Sequence, residues 1–191
     1  MKRIDIELLA HDDRTRLVHA YADLPPALLD MPATQDQHDP DAWWTAKDHF
    51  AHQARVTEQV MLMISQGVFG SHDVSALRPD ELVAIGHAET LAELRHPVEN
   101  LMKVAHEATN RWRGSVKDMT FEEVVAYGTR IHGELMLLLA SITEQQFEET
   151  VLPLTGKTIG ELLARHGEHG REHWGFAMEG LAERAAAAST A

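Results

Sequence analysis

Histidine is the residue whose placement suggests chemistry in this chain. There are 13 histidines among 191 residues and no cysteine. Drawn as a helix at about 100° per residue, His166, His169 and His173 fall within an arc of roughly 60°. Ile159, Leu162, Phe176 and Ala177 share that arc, so the three imidazoles face inward. His169 and His173 are one helical turn apart, a spacing that lets two rings grip one ion. In the segment Thr45–Gln66, His52 lies on the stripe of Val56, Val60 and Met63, with His49 on the same broad face. Two readings of such inward histidines stand side by side. A single one is ordinarily a hydrogen-bonded core residue. Several without partners cost about 1–3 kcal/mol each, and a shared divalent ion removes that cost by using the ring lone pairs.

The elements that must carry these residues read as helices. A first helix is expected over roughly Ile4–Tyr21, with Ile6, Leu9, Leu17 and Ala20 inward, before Pro25 and Pro26. Met31–Asp41 reads as a polar loop. Thr45 with Asp48 opens a second helix that runs to about Gln66, stopped by Gly67 and Gly70. Thr120 with Glu123 makes a capping box for a third helix reaching about Ile142, and Thr158 with Glu161 makes another for a fourth reaching about Arg184. Between them, Ser71–Arg113 holds short helical stretches around Arg78–Glu81 and His87–Arg95, with Pro97 at a kink or a new first turn. Sustained apolar/polar alternation and hairpin pairs are absent. The expected fold is all-α: an up-and-down-type four-helix bundle with one or two inserted helices. One domain is expected over residues 1–184, with 67–106 as an insertion and Ala185–Ala191 as a frayed tail. Gly160 and Gly167 line up with Ala164 away from the histidine arc. Such a stripe suits close helix packing within the bundle or across a dimer, or else the helix is shorter or bent.

Composition narrows the classes. Seventeen basic against 30 acidic side chains leave a net charge of −13, which repels phosphate backbones and anionic membranes, so neither nucleic acid nor membrane is expected as a partner. Without cysteine there is no disulfide, no thiolate metal ligand and no cysteine nucleophile. Any thiol chemistry needs a thiol from outside. The acidic start, Met1-Lys2-Arg3-Ile4-Asp5-Ile6-Glu7, lacks an apolar signal core, which points to the cytoplasm.

Two motifs resemble the DinB-like superfamily, which includes YfiT-like and mycothiol-dependent maleylpyruvate isomerase proteins. Trp44-Thr45-Ala46-Lys47-Asp48-His49-Phe50-Ala51-His52 is similar to the family's W-S/T-x-K/R-D/E-x-L-x-H, with Phe50 in place of the more usual leucine. Gly156-Lys157-Thr158-Ile159-Gly160-Glu161-Leu162-Leu163, followed by His169 and His173, is similar to its G-x-T-x-x-E-L-L and H-x-x-x-H. Thr120–Glu149 also looks like the family's third helix and its exit. The resemblance covers roughly residues 1–66 and 107–184. It implies a divalent metal, zinc or nickel, held by His52, His169 and His173, with His49 at a variable motif position and His166 as an extra. It further implies a homodimer and a small-molecule substrate. The implied activity is transfer of a low-molecular-weight thiol (mycothiol or bacillithiol) to a small electrophile, or its isomerisation. The alternatives are a metal-dependent hydrolase, and a non-catalytic stress-related or interaction bundle whose metal is structural or absent. His49 and His166 read as packing or rim residues, or as proton shuttles and supports if they lie near the site. Trp43 and Trp44 read as rim and core packing.

Overall fold

The structure, a computed structural model, describes residues 2–36, 41–70, 116–152 and 155–189. The stretch expected to hold inserted helices, Ser71–Arg113, lies outside the described residues, as does most of the expected 67–106 insertion.

The described chain is mostly helical. Helix α1 spans Arg3–Ala22 and the short α2 spans Pro26–Leu29. Strands β1, Pro32–Gln35, and β2, Trp43–Thr45, precede α3, Ala46–Phe69. Then come α4, Phe121–Ser141, α5, Glu144–Glu149, and α6, Ile159–Ser189. The expected caps form. The Thr45 hydroxyl accepts from Asp48 N at 3.0 Å while Asp48 accepts from Thr45 N at 2.9 Å. Thr120 and Glu123 make the same reciprocal pair, and so do Thr158 and Glu161. Each box satisfies two N–H groups that a helix start leaves without intrahelical partners.

Several expectations are corrected. Met31–Asp41 is not all loop: β1 pairs antiparallel with β2, Thr34 opposite Trp44 and Gln35 opposite Trp43, with a register shift between Pro32 and Thr34. Helix α3 passes through Gly67 and is capped only at Gly70, because Gly67 is where Leu152 packs directly on the helix backbone. The last helix does not end near Arg184 but continues through the alanines, strong helix formers, to Ser189. Leu9 and Phe176 are exposed, while Tyr21 is fully buried.

Helix α3 packs on α4 and α6, α1 packs on α6 and β1 lies across α6. The glycine stripe is used inside the chain. Cβ atoms at Gly160 and Gly170 would meet Ile6 and Leu17 of α1 at 3.0 and 2.9 Å, and one at Gly167 would meet Asp13 at 2.7 Å. These glycines let α1 approach α6 closely, and Arg171 of α6 then reaches the buried Asp13 of α1 in an ion pair. The apolar core has two parts. One holds Val60, Ile64, Leu135, Leu139, Phe147 and Leu163; the other holds Tyr21, Phe50, Val124, Ala177 and Leu181. On α6 the histidines fall in sequence between residues of these two clusters, and on α3 His52 does the same while His49 sits among residues of the second, so the fold carries a polar layer between two apolar ones.

Candidate metal centre

The capping box at Thr45 makes the junction between β2 and α3 stiff, because one residue ends the strand and caps the helix. His49 and His52 follow within the first two turns. Helix α6 brings His169 and His173 opposite them. One ligand atom each from His52, His169 and His173 lies within 4.8 Å of the other two. The three residues named from the resemblance are therefore brought together.

The closest approach is His52 Nε2 to His169 Nε2, 3.1 Å. Two nitrogens bonded to one zinc at about 2.0–2.1 Å, and separated by that distance, subtend about 100° at the ion, within the range of tetrahedral or octahedral sites. The ring centroids of His52 and His173 are 4.6 Å apart, and those of His169 and His173 4.5 Å. Coordination requires neutral rings, and burial supplies them. It pushes His173 down to about 2, helped by the neighbouring His169 and His49, and it lowers His169 despite an opposing pull from Glu172. The donor set therefore fits a divalent ion of borderline softness.

The surroundings include residues that the spacing of the sequence did not mark. Trp44 forms a wall, its ring centroid 5.4 Å from that of His52, 5.2 Å from His49 and 5.8 Å from His173. Its indole N–H donates to Asp36 at 2.7 Å. Phe176 stands edge-on to His173 at 5.9 Å. Buried His49 places Nδ1 at 2.8 Å from His173 Nδ1 and Nε2 at 2.8 Å from the Thr34 hydroxyl. Thr34 and Asp36 sit in the segment read as loop, so no periodicity pointed to them. His49 carried one signal, a place on the same broad face as His52.

His166 is placed elsewhere. Its Nε2 is 2.9 Å from the Thr57 hydroxyl, which donates its own proton to the Gln53 carbonyl at 2.8 Å. Since the hydroxyl has only one proton, His166 Nε2–H must donate and Nδ1 keeps a lone pair. That ring lines a cavity of about 30 Å³ with Asp13, Arg14, Gln53, Thr57 and His132. Trp43 is a rim residue beneath the Arg184 guanidinium, 4.2 Å from its ring centroid.

Comparisons with protein-family models, with curated proteins and with solved structures give no match to the chain. Among the described residues, no helix is long and apolar enough to cross a membrane.

Proposed function

We propose that the chain is a divalent-metal-dependent enzyme in which His52, His169 and His173 hold one ion, zinc or nickel, and a low-molecular-weight thiol is transferred to, or used to isomerise, a small electrophile. The observation that carries this reading is the convergence of three imidazoles from α3 and α6 within 4.8 Å. Three neutral protein ligands leave a coordination position open, the pattern of catalytic rather than structural sites. When bound, such an ion supplies a Lewis acid that favours the deprotonated form of a thiol or water at that position. The chain's residues do the rest. Trp44 and Phe176 flank the histidines with apolar surface that limits water, and burial keeps His169 and His173 unprotonated. The chain has no cysteine, so the thiol comes from outside; mycothiol and bacillithiol are the candidates, on the resemblance of the two histidine motifs. In the same reading α1, α3, α4 and α6 are the four members of an up-and-down-type bundle, and the protein works in the cytoplasm as a homodimer. The dimer has only the resemblance behind it, since Gly160, Gly167 and Gly170 pack against α1.

Elemental analysis of the purified protein beside His52→Ala and His169→Ala tests the site. Turnover of a small electrophile with and without each thiol tests the chemistry. Metal bound by the wild type and lost from both variants, with thiol-dependent turnover, is the expected result. Metal with water as the only co-substrate moves the reading to a hydrolase, and absence of metal from the wild type overturns it.

A further inference from the structure

We propose that His49, held by Thr34, is the positioning residue that sets the tautomer of His173 and so tunes the metal affinity of the site; this rests on the metal reading above. His49 is 3% exposed, and both of its ring nitrogens are engaged at 2.8 Å, one by His173 Nδ1 and the other by Thr34 Oγ1. Only one proton can lie between the two Nδ1 atoms, which leaves two arrangements. In the first, Thr34 donates to His49 Nε2 and His49 Nδ1–H donates to His173 Nδ1; a neutral His173 then carries its proton on Nε2. In the second, His173 Nδ1–H donates to His49 Nδ1, and His49 Nε2–H donates to Thr34 Oγ1. The second alone leaves the lone pair of His173 on Nε2. With Nδ1 engaged by His49, that is the nitrogen His173 has left for an ion.

Outer hydrogen-bond partners of this kind fix ring orientation and raise ligand basicity. Here the outer partner is another imidazole rather than a carboxylate, and the chain of bonds ends on a hydroxyl of β1. The small sheet thereby gains a role. It brings Thr34 over α3, and its place is set by Gly180, where the Ala33 carbonyl lies so close to α6 that a Cβ atom would overlap it.

Zinc affinity of the full-length chain, measured at pH 7.5 by competition with a chromophoric chelator, tests the proposal. His49→Leu, which keeps bulk and removes both nitrogens, is expected to bind zinc about 10–100-fold more weakly. His49→Asn places a carbonyl oxygen near the position of Nδ1 and should recover most of that loss. Thr34→Val should weaken zinc binding in the same direction by less, with Thr34→Ser close to wild type; this pair keeps the test open if His49→Leu does not fold. Nitrogen-15 NMR of the zinc-loaded wild type should find His173 protonated at Nδ1 and His49 at Nε2. Unchanged affinity in folded His49→Leu, or His173 protonated at Nε2, overturns the proposal. A wild type that binds no zinc or nickel overturns the metal reading itself, and that outcome differs from equal binding by wild type and variant.

Discussion

Two sets of half-buried histidines sit about one turn apart on α6 and end in different states. Around His169 and His173, ring nitrogens face other ring nitrogens, with His52 and His49 arriving from α3. Around His166, the ring donates to a hydroxyl that is itself tied to the backbone of α3. Its neighbour in the cavity, His132 of α4, places Nε2 at 3.4 Å from His11 Nδ1. Burial depresses both sets: His166 goes to about 3 and His132 to about 4, with Arg14 and neighbouring imidazoles adding to the effect. Neutrality is thus common to the two regions and does not make a metal site. What separates them is the residue the facing helix offers. His52 gives His169 a second lone pair, whereas Thr57 gives His166 a hydrogen-bond acceptor.

The largest effect expected from breaking this contrast is at the ligands. His52→Ala, His169→Ala or His173→Ala should each remove most bound metal, while His166→Ala should leave the metal content of the protein as it was. Loss of metal in His166→Ala with retention in His173→Ala would show that the ligand set has slipped along α6. Atomic emission on freshly purified variants reads this directly.

Gly180→Ala comes next. A Cβ on the Ala33 carbonyl must displace β1, and overpacking of this kind costs about 1–3 kcal/mol. The midpoint of urea unfolding should fall, and Trp44 fluorescence should change as its bond to Asp36 is disturbed. An unchanged midpoint would mean that the sheet is not clamped to α6.

A third test uses the cavity histidine. His166 is neutral in the folded protein down to about pH 3, whereas the unfolded chain takes up a proton near its usual value of about 6.5. Between these values the unfolded state binds more protons, so stability rises with pH; it is complete above about 6.5 and declines as the solution is acidified. His166→Gln removes one such group. With chelator present, its stability should fall less steeply between pH 6 and pH 4, by about 1.4 kcal/mol per pH unit where the difference is fully developed. Parallel pH profiles would mean that His166 is accessible to solvent protons.

The smallest effect is at Gly175, which is exposed on α6 with nothing within 4 Å of a Cβ placed there. Gly175→Ala should raise stability by about 0.5–1 kcal/mol through helix propensity alone, opposite in sign to Gly180→Ala. Circular dichroism melts of the pair measure both. A loss of stability in Gly175→Ala would reveal a contact at that face, such as the proposed dimer partner.

Much of this was legible in local sequence. The reciprocal boxes at Thr45, Thr120 and Thr158 mark helix starts because a side-chain oxygen three residues from a carboxylate satisfies end groups regardless of the rest of the fold. The helix arc placed His166, His169 and His173 on one side for an equally local reason, the fixed turn per residue. The small sheet was not legible, since strands of four and three residues hold too few alternations to show a period. Phe176 and Leu9 were misplaced because an arc says which side a residue is on but not where the packed neighbour stops. Which inward histidine meets a histidine and which meets a threonine depends on the register of α6 against α3. That register depends on long-range packing, with Gly170 against Gln53 of α3 and the two apolar clusters on either side of the polar layer. The sequence alone thus determined the helices, their caps and the inward direction of the imidazoles, all of which depend on interactions within about four residues. Tertiary structure decided that His52, His169 and His173 converge, that His49 and Thr34 stand behind them and that His166 does not join them, because those distances exist only once separate helices are packed at a particular register.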